Sequence, residues 1–357
     1  MTTYKKFLIK HFTTYFVKVS LFFSMIILIT NILENYEYFS DFGFSIPYII
    51  FLSFLNTPST VYDIFPFIFL ITTQFFFISL IDKNELGIFK YSGLANHEII
   101  KIIGIYTFIL SIILVVIFYN ISATLKKSYL VIKNNYSNDG KYLAVITQNG
   151  LWMKDTINKN INIINANKID NEFLSQVTIS QFNQNFEPLR VIIGDKINVS
   201  STEWEIFNAR ILEGSKTTNL DKLVLKSNFD LKRINNLFSN LSSLNIVDLF
   251  ELRKNYNLLN YSIIEIDSHL YRMMSYPIYL TLITIFSSIV MLNIKYQKNS
   301  LFKIIFGILL AVVIFYINYF FNVLGVSEKI PIIISIFLPL SVLMIINFIY
   351  IIKINEK

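Results

Sequence analysis

Few residues in this chain of 357 are spaced for bond-breaking chemistry. His11, His97 and His269 lie far apart and form no cluster, and there is no cysteine, so thiolate metal sites and disulfides are excluded. The only Gly-Lys pair, Gly140-Lys141, lacks the upstream glycine and following Ser or Thr of a phosphate-cradling loop. Neither a G-x-S-x-G elbow nor an H-E-x-x-H pair occurs. Among the carboxylates only Asp63, between Pro58 and Pro66, comes near membrane depth, and an exposed position is expected for it. An ion-driven pump would need paired intramembrane carboxylates, which are missing. No catalytic residue and no metal ligand is assigned, and the chain binds no cofactor of its own.

One polar segment is suited to binding instead. Asp82 to Gly93 lies between two hydrophobic stretches and reads as a helix of about two to three turns. Asp82 or Asn84 can cap it, Glu85 sits favourably in its first turn, and Gly93 can end it. Leu86, Phe89 and Gly93 recur at i, i+3, i+7, giving a small apolar face beside a carboxylate. Spacing alone leaves two readings open, a connector between membrane spans or a face that docks on another protein.

The elements that hold this segment follow from composition. Hydrophobic residues make up 54% of the chain and charged ones 15%, too apolar for a soluble protein of this length. Lys5, Lys6, Lys10 and Lys18 precede the apolar run Val19 to Leu33, which has no small-residue cleavage site after it and so reads as an uncleaved first span. Tyr48 to Ile81 would be about 50 Å long as one helix against a hydrocarbon core of about 30 Å, so it must tilt, break or protrude, with Pro58 and Pro66 as breaks. Ile102 to Phe118 forms a third span. Three more follow at Tyr276 to Ile294, Ile304 to Leu324 and Ile330 to Ile352, with Pro277 early in the first of them and Arg272 just outside it.

Between the two sets of three the composition changes. Thr124 to Ser268 holds 17 basic and 15 acidic residues and short alternating runs at 142–147, 161–164, 177–182, 191–199 and 204–211, separated by turn signals at 138–140, 149–150 and 213–215. Short, regularly spaced strands predict an all-β domain of sandwich or barrel type, followed by a helix over 245–256. The expected organisation is therefore 1–123 (spans 1 to 3, with the docking helix at about 82–93), 124–268 (β-domain with a helical exit) and 269–357 (spans 4 to 6). Twelve lysines fall at the two termini and in the loops at 82–101 and 295–303, against one, Lys329, in the two short loops on the other side, which places both termini in the cytoplasm. The basic residues form neither a stripe nor an aromatic platform, so nucleic acid is not an expected partner.

Taken together, the chain resembles the LptF/LptG permeases of the lipopolysaccharide export transporter, over nearly its whole length. The resemblance is carried by three spans, an external β-domain and three spans, and by local matches. These are Thr57-Pro58 with Pro66; Asn84-Glu85-Leu86 followed by Ser92-Gly93, similar to the family's cytoplasmic coupling helix; and Gly150-Leu151-Trp152-Met153-Lys154-Asp155, similar to the G-L-W-x-K-D turn of LptG members. The last, with Asn56-Thr57-Pro58, favours LptG over LptF.

The resemblance implies an α-helical inner-membrane protein with a periplasmic jellyroll-like domain. It would be a non-catalytic ABC-transporter permease that extracts lipopolysaccharide and passes it to a periplasmic bridge. Implied partners are a second permease of the same family, an LptB-type ATPase dimer that holds ATP and Mg, and a bitopic LptC-type protein. Glu85 would contact the ATPase, with Leu86, Phe89 and Gly93 shaping the docking helix. Asn31, Tyr316 and Phe320 are candidates for the lipid cavity or gate, and Pro58, Pro66, Trp152, Arg272 and Pro277 for structural roles. Some members carry cations at the outer end of the first span, whereas this chain has Glu34, Glu37 and Asp41 there. Alternatives are a permease of another lipid or lipoprotein exporter, and a membrane-anchored adaptor or sensor with an external β-domain.

Overall fold

A computed structural model describes residues 3–136, 151–157, 160–170, 172–214, 216–231, 234, 240–258, 262–293 and 300–355. The chain divides into two compact units, Met1–Lys126 with Ile264–Lys357, and Lys127–Ile263.

The first unit is helical: α1 (Thr3–Phe39), α2 (Ile46–Asp63), α3 (Phe65–Asp82), α4 (Glu85–Tyr91), α5 (Asn96–Ile113), α6 (Tyr119–Asn135, reaching into the second unit), α8 (Ile264–Asn293), α9 (Ser300–Val326) and α10 (Ile332–Asn355). Among the described residues six stretches are long and apolar enough to cross a membrane: Thr3–Phe39, Phe65–Asp82, Asn96–Lys133, Ile264–Leu292, Ile304–Val326 and Ile332–Lys353. The third is longer than its apolar run, because α5 passes into α6 through a five-residue π-helical segment, Leu114–Phe118, that adds a wide turn without ending the helix.

The long second hydrophobic stretch is broken once, at Ile64 between α2 and α3. Pro66 explains the break, since it can give no N–H to the carbonyl of Tyr62 four residues back. Pro58 does not break the chain and sits inside α2, correcting the expectation of two breaks. Tyr276 of α8 supplies the missing donor, its hydroxyl donating to the Tyr62 carbonyl at 2.6 Å, and the two rings stack with centroids 4.9 Å apart. The break is thus stapled to the fourth span. Tyr276→Phe removes the donor and leaves a poorly satisfied carbonyl, and should cost about 1 to 3 kcal/mol. A lowered midpoint of thermal unfolding of the detergent-solubilised chain, with helix content unchanged, would report it.

Helix packing elsewhere relies on small and polar groups. Gln74 of α3 is fully buried and donates to the Ile304 carbonyl of α9 at 3.3 Å. Glycine at 307 leaves room for the amide in this position, since an added Cβ would overlap Gln74 Nε2 and push it aside. Asn347 of α10 bonds the Leu282 carbonyl of α8 at 3.0 Å, and Ser287 of α8 the Leu70 carbonyl of α3 at 3.1 Å. Without water, such bonds and close backbone approach supply specificity that apolar contact alone does not.

The second unit is one six-stranded antiparallel sheet: β1 (Leu151–Ile157), β2 (Asn160–Asp170), β3 (Phe173–Phe182), β4 (Pro188–Asn198), β5 (Glu203–Glu213) and β6 (Lys216–Lys226), each pairing with the next in sequence as a meander. The all-β character is as expected. β6 was not, because its polar sequence and almost continuous exposure hide the period of two. The expected run at 142–147 and the turns at 138–140 and 149–150 lie outside the described residues. One face of the sheet carries the core, with Ile164, Ile179 and Ile192 in register across three strands and Leu174, Ile197 and Ile206 across three. Beyond the sheet α7 (Ile246–Leu258) matches the expected helix, with Asn245 capping it through the backbone N–H of Asp248 at 2.8 Å.

Candidate functional site

The segment 82–93 forms α4, a helix of seven residues. Its start differs from the expectation. Asn84 makes no side-chain cap and instead takes a left-handed backbone conformation at φ 56°, which asparagine tolerates better than most residues. Its end is as read: Gly93 lies at φ 80°, and Leu94 N–H bonds the Phe89 carbonyl at 2.9 Å while Gly93 N–H bonds that of Lys90 at 3.0 Å. That paired closure requires the positive φ glycine provides.

The apolar stripe faces the other way from expectation. Leu86 is 1% exposed, packed within its own chain. Phe89 is partly buried and meets the ring of Phe7 in α1 at 6.0 Å between centroids. Outward lie Ile88, 60% exposed, and Tyr91, 95% exposed, one turn apart. Glu85 is half-buried, and its Oε2 is enclosed without a hydrogen-bond partner among the described residues. The segment therefore carries a carboxylate at one end and two bare apolar side chains on its free face.

The gate candidates separate into two kinds. Asn31 is buried and held by α2, its amide donating to Thr57 Oγ1 at 3.0 Å and its Oδ1 accepting from Asn56 at 3.3 Å. It is a helix-packing group. Tyr316 and Phe320 on α9 are 64% and 60% exposed and lie on the open surface of that helix. Asp63 is exposed, as anticipated, and Arg272 is exposed as well. Pro277 lies inside α8. Among the described residues no group of three metal-ligating side chains converges.

The stretch 151–155 forms strand β1 rather than a turn, and its aromatic is not the anchor: Trp152 is 55% exposed. Asp155 is the buried member. Its Oδ2 accepts from Ser227 Oγ at 2.8 Å and from the backbone N–H of Asn228 at 3.1 Å, and its Oδ1 accepts from the Asn228 amide at 2.8 Å. The carboxylate ties the first strand to the chain leaving the last one. Nothing in the sequence points to that role, since the partners lie more than seventy residues away. Asp155→Ala removes the shared acceptor of Ser227 and Asn228 and should destabilise the sheet by about 1 to 3 kcal/mol, read as faster hydrogen exchange in β1 and β6.

These features define a multi-pass α-helical membrane protein with an antiparallel β-domain inserted between its third and fourth spans. The family model of the lipopolysaccharide export system permease LptF/LptG matches residues 6–353, nearly the whole chain, and the protein belongs to that family. No curated protein matches it. Family and spans together make it a multi-pass protein of the inner membrane and a permease component of lipopolysaccharide export.

Proposed function

We propose that this chain is the LptG-side permease of an ABC-type exporter, with α4 the helix through which a partner ATPase drives extraction of lipopolysaccharide. The observation that carries the reading is α4 itself, a short capped helix between two spans that leaves Ile88 and Tyr91 uncovered beside Glu85 in a chain of this family. A helix presenting two apolar side chains one turn apart suits a groove on a soluble partner. The LptG assignment rests on the Gly150-to-Asp155 stretch and on Asn56-Thr57-Pro58.

In this reading the lysine-rich side faces the cytoplasm, as charge asymmetry favours, and the β-domain lies in the periplasm. ATP and Mg act in the ATPase dimer. A second permease completes the lipid cavity. The crevice lined by Pro66, Phe67, Tyr279, Ile283, Ala311 and Phe315 has no room for a water molecule, far too little for a lipid with several acyl chains. The uncovered surfaces of α1 and α9, including Phe22, Met25, Tyr316 and Phe320, are available to that second permease. A bitopic LptC-type protein would receive the lipid through its own β-domain.

Co-purification from native membranes tests the proposal. A nucleotide-binding ATPase, a second six-span permease and lipopolysaccharide should accompany the tagged chain. A chain recovered alone would instead favour the adaptor reading, and a different bound lipid a different exporter.

A further inference from the structure

Two helices stand beside α4, and they differ in stiffness. α3 ends only two residues before α4, but is interrupted at its far end by the break at Ile64. α1 runs from Thr3 to Phe39 with no proline or glycine, about 55 Å at 1.5 Å per residue. Helices kink at such residues or at inserted turns and otherwise only curve gently. Of the two, α1 is the one that can carry a displacement across the whole membrane.

Its inner end is built onto α4 and α3 through aromatic rings. Phe89 of α4 meets Phe7, and Phe7 stacks on His11 with centroids 5.5 Å apart and planes 12° from parallel. His11 shares a hydrogen bond with Ser79 of α3 at 3.1 Å, packs on Phe76 at 5.7 Å, and lies within electrostatic reach of Glu85. Leu8 and Phe12 on the same helix are fully buried. At the far end α1 is tied to α2 by Asn31 on Thr57, by Asn35 Nδ2 on Ser53 Oγ at 2.9 Å, and by Ser53 Oγ on the Asn31 carbonyl at 3.1 Å. A contact at one end and hydrogen bonds at the other make α1 a rod between α4 and α2.

We infer that Phe7 is the positioning residue that passes motion of α4 to α1, and that α1 delivers it to α2 on the opposite side of the membrane. This rests on the coupling role proposed for α4. Phe7 is 39% exposed but lies between Phe89 and His11, and His11 is in turn bonded to Ser79 and packed on Phe76, so a shift of the Phe89 ring reaches α1 through the Phe7 ring. Phe7 touches neither ATP nor lipid in this scheme; its part is to keep α4 and α1 moving together.

The test is done on the complete complex in vesicles, measuring ATP hydrolysis and lipopolysaccharide released to an acceptor. Phe7→Ala should keep the ATPase bound and hydrolysis within about twofold, while lipid released per ATP falls by about two- to twelvefold, the range an aromatic pair is worth. Phe7→Leu should recover much of the ratio, and adding Phe89→Ala to Phe7→Ala should lower it no further. An unchanged ratio in Phe7→Ala, or hydrolysis and release falling in step, overturns the inference.

Because the chain has no cysteine, a second measurement does not depend on the alanine variant. Phe7→Cys with Phe89→Cys should be poorly coupled until joined by a short bifunctional maleimide, which should restore release. A cross-link that arrests release shows instead that α4 and α1 part during the cycle. Failure of the unaltered chain to hold any ATPase would remove the proposed function itself, an outcome separate from all of these.

Discussion

Trp204→Ala should open the β-domain by about 3 to 5 kcal/mol, the usual cost of truncating a buried large aromatic. Trp204 has no exposed surface and heads the fully buried side chains of the protein by volume. It pairs with Leu225 across β5 and β6, and its Nε1 donates to the Phe229 carbonyl at 2.8 Å. Alanine leaves a void and also strips a buried carbonyl of its donor, and the two losses fall at the point where the chain leaves the sheet. Hydrogen exchange on the intact chain in detergent separates them. Trp204→Phe should lose the bond and keep most of the bulk, costing less than the alanine. If the amides of β4 to β6 keep their protection in Trp204→Ala, the indole is not part of the core.

Glu85→Lys should have the largest functional effect if α4 has the coupling role proposed for it. Glu85 is the only acidic residue in the first turn of α4, where a carboxylate favours the positive end of the helix, and a cation opposes it. The substitution sets a second positive charge two residues from Lys83 and removes the acidic neighbour of His11. ATP-driven release should fall at least about tenfold, equivalent to about 1.4 kcal/mol of lost coupling. The spans are untouched, so insertion should be normal, while Glu85→Gln should lie between. Normal release together with normal ATPase association in Glu85→Lys would take α4 out of the coupling path.

Much of this architecture is readable from periodicity and punctuation. Six apolar runs, the polar insert and the helix after it follow from composition, and Pro66 and Gly93 act where their backbone chemistry says they must. What could not be read concerns direction and distance. A two-turn helix with an apolar stripe looks the same whether the stripe meets its own chain or another one, so Leu86 and Phe89 could not be told from a docking face. Pro58 is accommodated within α2, although the sequence treats it like Pro66. β6 escapes because an exposed edge strand need not alternate. Asp155 and Tyr276 act through partners 72 and 214 residues away, and local patterns contain nothing of such pairs.

The glycine at 307 also bears on how this protein can change over generations. A side chain there collides with Gln74, while Gln74 alone can shrink with no collision. Substitution at these two sites is therefore coupled: a side chain at 307 moves the Gln74 amide off the Ile304 carbonyl, whereas a smaller residue at 74 removes the conflict. In lineages of this permease the two positions should covary, with residues larger than glycine at 307 favoured where position 74 is small.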